Sequence, residues 1–245
     1  MYTRMKWLMM SAALVLTAVP GMSQEGNFRR ILRFHLKPDM VSEFMAAVEA
    51  DKEAMKKMGH PRRQTWWQST SGPTEILLVR YYKNYADMDE SGLQLSSQVS
   101  LARARVMKCA NSTETVIDEL IPDASVIADR NAMPKYIRTL RSEVKPEKML
   151  EYEAWVEKEI GPAVKKSGVK LFLNSRVRYG ATTNMYISAI GMDSMASFDE
   201  PLPLLKTMGK PAYDAAMAKR AAMLTHNEAT IYRSLPNLNY IPEAK

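Results

Sequence analysis

The chain has 245 residues, 46% hydrophobic and 25% charged, with ten Gly and thirteen Pro. That is ordinary composition for a globular protein and excludes a fibrous or disordered one. Cys109 is the only cysteine, so an internal disulfide is excluded and stability has to come from a packed core. The formal charge of +7 is spread in alternating sign, which argues against a nucleic-acid partner.

Residues 1–23 read as a secretory signal. Arg4 and Lys6 precede an apolar run, Trp7 to Val19, and Pro20-Gly21 breaks it before a cleavage position near Ser23-Gln24. The alternative is an uncleaved anchor, but the run is short for a hydrocarbon core of about 30 Å. Cleavage would remove Arg4 and Lys6, leaving +5 from +7. A periplasmic or secreted protein is expected, with no stable membrane insertion after cleavage.

Phe28 to Leu36 alternates in large side chains and predicts a strand. Lys37-Pro38-Asp39 ends it, because Pro cannot donate to a ladder and Asp39 can cap a helix. Val41, Phe44, Met45, Val48, Met55 and Met58 fall on one helical face, stopped by Gly59 and Pro61. Thr65–Ser69 and Ile76–Tyr82 predict a hairpin around Ser71-Gly72-Pro73. A helical stretch ends near Ala110, and Thr113–Leu120 predicts a fourth strand. After a linker, Asp123 to Pro134, the order recurs: strand Tyr136–Val144, helix Glu147–Lys166 kinked at Gly161-Pro162, hairpin Leu171–Tyr179 and Asn184–Ile190, helix Pro211–Leu224, strand Ala229–Ser234.

The recurrence is visible in the residues. Arg33 through Asp39 aligns with Arg141 through Glu147, Val41, Phe44 and Val48 with Met149, Tyr152 and Val156, and Glu114, Ile117 and Pro122 with Glu228, Ile231 and Pro236. Two units follow, 28–125 and 135–240. Each has the β-α-β-β-α-β order of a ferredoxin-like α+β fold, with helices on one sheet face, so the two sheets are expected to pack together. On element order and duplication the chain resembles the dimeric α+β-barrel superfamily. Within it, the chain looks most like antibiotic-biosynthesis-monooxygenase-type and NIPSNAP-type domains. The resemblance implies an intramolecular dimer, itself a monomer or homodimer, and a small-molecule pocket.

Alternation on the first strand divides Phe28, Arg30, Leu32, Phe34 and Leu36 from Arg29, Ile31, Arg33 and His35. The apolar set should face the helices, so Arg33 and His35 should point into the barrel, with Arg141 and Glu143 as their second-unit counterparts. Two arginines near a pseudo-twofold axis repel unless something anionic lies between them. Glu143 is the expected partner, for either arginine or for His35. His35 is the candidate general base or acid, its ordinary pKa lying near neutrality, and Arg33 the group that polarises a substrate. The alternative is a structural ion-pair network between the units. The repeat alignment sets Trp67 against Arg176, making both candidate pocket walls. Tyr82 is a further candidate, on a strand whose facing is ambiguous.

Three histidines without paired spacing argue against zinc, and Cys109 reads as a small buried hydrophobe. No G-x-S-x-G, P-loop, G-x-G-x-x-G or H-E-x-x-H occurs. The resemblance implies a cofactor-independent monooxygenase or isomerase acting on small aromatic or polyketide-like substrates. The alternatives are a non-catalytic binding or scaffold protein and, since chlorite-dismutase-like proteins also join two ferredoxin-like units, a haem protein. Haem is the one cofactor left open, with His226 or His35 as axial ligand.

Overall fold

A strand that puts one apolar and one mixed face to its surroundings needs cover on both, and each unit supplies half of that cover. The computed structural model describes residues 26–72, 74–89, 96–129 and 133–242. The expected signal and Pro73 of the expected turn lie outside them.

In the first unit, β1 (Phe28–Leu36), α1 (Val41–Met58), β2 (Gln64–Ser69), β3 (Glu75–Tyr82), α2 (Ser97–Lys108) and β4 (Ala110–Leu120) follow the expected order. α1 ends at Gly59, whose φ of 61° is the left-handed cap that glycine adopts without strain. The Ser96 side chain caps α2 by accepting from the Val99 amide. Phe34, Leu36, Phe44, Val48, Trp66, Ile76 and Leu78 form the core between sheet and helices. The Phe34, Phe44 and Trp66 rings lie 5.3–5.9 Å apart, within the range where edge and offset contacts add to burial. Cys109 is buried and its thiol donates to the Arg105 carbonyl.

A two-residue strand that the sequence does not predict, β5 (Val126–Ile127), lies in the linker and pairs with the second unit. That unit comprises β6 (Tyr136–Val144), α3 (Met149–Trp155), α4 (Gly161–Lys166), β7 (Leu171–Tyr179), β8 (Met185–Met192), α5 (Pro203–Met208), α6 (Lys210–Met223) and β9 (Leu224–Ser234). α5 is also unpredicted. The expected kink takes the form of a π-helical segment, Val156–Ile160, between α3 and α4. Pro162 has no amide to give back to the preceding turn, and the Gly161 amide reaches five residues back to the Val156 carbonyl. A second core of Val144, Tyr152, Trp155, Ile160, Tyr186 and Met223 fills the space beneath these helices.

The sheet order is β4-β1-β3-β2-β9-β6-β8-β7, with β5 beside β7, and β4 pairs with β7 to close the ring. Eight antiparallel strands therefore make a barrel, with the helices outside. The two seams between units are short, Trp67–Ser69 with Tyr232–Ser234 and Ile117–Leu120 with Ser175–Tyr179. The registers show which residues are equivalent. Arg33 lies opposite Leu77 and Glu114, and Arg141 lies opposite Ile187 and Glu228. The linker leaves β4 and enters β6 on the far side of the ring, and its Ile127, Asp129, Met133 and Pro134 line one end of the interior.

Candidate functional site

The alternation on β1 sorts its side chains as the pattern predicts. Phe34 and Leu36 enter the helix-side core, while Arg29, Ile31 and Arg33 line a cavity inside the barrel. Its volume is about 80 Å³, on a measure where one water needs roughly 10–15 Å³. The space therefore suits one small molecule. Trp67, Leu77, Val79, Ile137, Ile187 and Tyr232 supply most of its apolar wall, and Arg141 shares it with Arg33.

Around Arg33 the polar groups converge. Its Nε lies 3.3 Å from Oε2 of Glu75, a buried carboxylate on β3. The Tyr232 hydroxyl donates to the other oxygen of Glu75. His35 stands at the rim, its side chain 30% exposed, with Nδ1 4.0 Å from Glu75 and Nε2 3.5 Å from Glu114. Burial pushes the Tyr232 phenol well above its ordinary range; Arg33 pulls it down, and the bond to Glu75 raises it again. Glu75 is the residue that sequence reasoning missed. The sequence marks it only as a carboxylate opening a strand of Ile, Leu, Leu and Val; its place opposite His35 comes from the register.

Two expectations about pairing are corrected. Glu143 does not lie between the arginines: Glu75 holds Arg33, and Glu228 lies 3.8 Å from Arg141. Glu143 is also not the partner of His35, which turns to Glu75 and Glu114.

Two wall residues are corrected as well. Trp67 pairs with Leu77 and Ser234, while Ser175 pairs with Ile187 and Leu120. Ser175, not Arg176, is therefore the counterpart of Trp67. A shift of one residue reverses the face, and Arg176 points outward to Glu153 on α3 at 3.1 Å. Tyr82 is buried on the outer face, with the Arg62 guanidinium 4.8 Å from its ring centre, and it is Tyr81 that lines the cavity.

A second polar cluster closes the seam between β4 and β7. Arg29 and Asp118 are both buried and share two hydrogen bonds, one of 2.9 Å. The Ser175 hydroxyl donates to Asp118 at 2.5 Å and accepts from Arg29 at 2.8 Å. Burial alone would lower the Arg29 pKa; Asp118 and, after it, Tyr81 together more than offset that, leaving it raised. Every charge here is answered, so this cluster is structural.

The described residues give haem no seat. His226 is exposed on β9 and His35 stands at the rim, and no histidine lines the cavity. Among the described residues no three His, Cys, Asp or Glu side chains group to hold a metal ion.

No family model matches the chain, and no curated protein matches it. Solved structures do. Two are named "putative monooxygenase", one from Lactobacillus acidophilus NCFM and one from Fusobacterium nucleatum. The first is 11% identical at a TM-score of 0.62, covering 89% of this chain and 97% of the other. The second is 13% identical at 0.62, covering 85% and 92%. An anthrone oxidase-like protein is 12% identical at 0.57, covering 85% and 91%. Chlorite dismutase from Candidatus Nitrospira defluvii is 8% identical at 0.54, covering 87% and 94%. At such identities the likeness is one of fold, and on fold the chain is a dimeric α+β barrel with both ferredoxin-like halves in one polypeptide.

Proposed function

We propose that the barrel interior binds one small, largely apolar molecule and that the groups around Arg33 carry out acid–base chemistry on it. The reaction class would be that of a cofactor-independent isomerase, or of a monooxygenase in which dioxygen is the oxidant and the deprotonated substrate supplies the electrons. The observation that carries this reading is the join of an aromatic and aliphatic cavity to a charged rim. Trp67, Leu77 and Val79 take the body of the ligand, and His35 and Arg33 meet at the same carboxylate, Glu75. In this reading Arg33 polarises an oxygen of the substrate. His35 takes or returns the proton, oriented by Glu75 and Glu114. The solved structures named as monooxygenases favour the same class by fold analogy only.

The protein is proposed to act outside the cytoplasm, as a monomer or homodimer, with no nucleic-acid partner. No helix among the described residues is long and apolar enough to cross a membrane.

A second reading has its own observation. The fully answered Arg29–Asp118–Ser175 cluster joins the two units, and in a non-catalytic binding protein Glu75, held by Arg33 of its own unit and by Tyr232 of the other, does the same. Native mass spectrometry of the intact secreted protein, with His35→Ala alongside, separates the two. A co-purified small molecule, retained by the variant but no longer converted, supports the enzyme. Large destabilisation with unchanged ligand retention supports the structural reading. A protein that carries no ligand and binds none from a panel of small aromatic compounds would remove the barrel site.

A further inference from the structure

The two units carry the same arginine but answer it differently. Arg33 and Arg141 occupy equivalent register positions, each opposite a Glu on the neighbouring strand. Two residues before Leu77 stands Glu75, opposite His35. At the equivalent position before Ile187 stands Met185, opposite Glu143. The carboxylate that neutralises Arg33 is therefore replaced by a thioether beside Arg141. Nη2 of Arg141 lies 3.6 Å from the Met185 sulfur, a weak acceptor for a group with five N–H donors. Its nearest carboxylate, Glu228, is 3.8 Å away and half exposed, where water and salt screen it. The Arg141 side chain is itself only 19% exposed and lines the cavity. A cation held largely out of water with so little compensation favours an anion from solution.

Resting on the barrel-site reading above, we propose that Arg141 is the seat for a carboxylate, and that the ligand is a small carboxylic acid with an aromatic or branched body. The planar guanidinium matches a carboxylate's two oxygens. Ile187 lies opposite Arg141 on β8 and Thr139 is the next inward residue on β6, with Ile137 and Trp67 lining the same cavity farther off. Arg33 is not a second seat, because Glu75 already answers it. One acid binds per chain, in one orientation. Glu114, Glu143 and Glu228 also occur near this end; none replaces Glu75 beside Arg141, and the half-exposed Glu114 and Glu228 contribute mainly screened repulsion.

The test uses the full mature chain with benzoate and its neutral analogue benzyl alcohol, read by calorimetry. Benzoate should bind about tenfold or more tightly than benzyl alcohol, with one site per chain. Met185→Glu restores the missing carboxylate and should weaken benzoate about tenfold while leaving benzyl alcohol nearly unchanged. Arg141→Gln should do the same, which covers the case where Met185→Glu fails to fold. Equal affinity for the two probes, or benzoate binding untouched by a folded variant of either kind, overturns the carboxylate seat alone. Binding of neither probe overturns the seat together with the barrel-site reading.

Discussion

Glu75 and Asp118 are both buried acids inside one barrel, but they differ in what removal would leave behind. Asp118 is bound by Arg29 and Ser175 with no group left over. Asp118→Ala strands the Arg29 guanidinium in a buried seam, so the loss should be about 3–5 kcal/mol in denaturant unfolding. A loss below about 1 kcal/mol would mean that water reaches the seam. Tyr232→Phe is milder. It leaves Glu75 with Arg33 but without the phenol that donates to it, which should cost about 1–3 kcal/mol. At this scale the sequence shows a good deal. The alternation of Arg29, Ile31 and Arg33 against Phe34 and Leu36 is enough to identify the inner face of β1. It does not show which acid meets which base, because Glu75 reaches Arg33 across β1 and β3, strands separated in the chain by α1 and β2 and brought into register only by the fold. Glu143 sits at the position equivalent to His35, yet Glu75 and Glu228, not Glu143, are the carboxylates that meet the two arginines.

At the level of single elements, the break in the long second-unit helix gives the clearest test. Gly161 passes so close to the linker that a Cβ there would press into the Asp123 carbonyl oxygen, well inside van der Waals contact. Gly161→Ala would gain about 1 kcal/mol from helix propensity alone. The backbone contact opposes it, and because the neighbour is main chain rather than a flexible side-chain end, the contact should win. A fall in Tm is expected, and a rise would show that the helix can move off the linker. The Gly161-Pro162 pair marks this break in the sequence, but the π-helical form of it does not show there. It follows from packing against Asp123 and Ala124, which lie far away in the chain. The misplaced Arg176 has the same origin. The repeat alignment is right for Glu114 with Glu228 and for Arg33 with Arg141, yet it slips by one residue in β7, and one residue is enough to exchange the inner Ser175 for the outer Arg176.

Across the whole molecule, burial makes the barrel an alkali-sensitive structure. Tyr152, Tyr186 and Tyr232 are raised by burial above the ordinary tyrosine value of 10. The folded state therefore keeps these protons when the unfolded state has lost them. Their contribution is complete below about pH 10 and declines as pH rises through that value toward the folded pKa. Absorbance at the phenolate band should rise in two stages, exposed tyrosines first, and the second stage should coincide with loss of the far-ultraviolet signal. Early, complete ionisation of a still-folded protein would contradict this.

The same scale decides whether the halves are interchangeable. Each half alone would expose the inner residues Ile31, Leu77, Val79 and Val116, or Ile137, Ile187 and Ala189, together with open strand edges at both seams. Self-pairing is the obvious escape, since the fold is a pseudo-twofold pair. The seams argue against it. Two copies of the first half would bring Trp67 to the place of Ser175, beside Asp118 and Arg29, which would lose a hydroxyl and gain an indole. Two copies of the second would bring Ser175 to the place of Trp67, leaving the wall around Tyr232 underfilled. The prediction is that 26–129 and 133–242 made separately aggregate or form only weak homodimers in light-scattering chromatography. Made together, they should assemble one to one with the stability of the intact chain. A well-folded homodimer of either half would show that the exchange of Trp67 for Ser175 is tolerated at the seams. Failure of the mixture where a homodimer succeeds would show that the covalent connection between the halves, and not β5, which stays on the first fragment, holds the barrel closed.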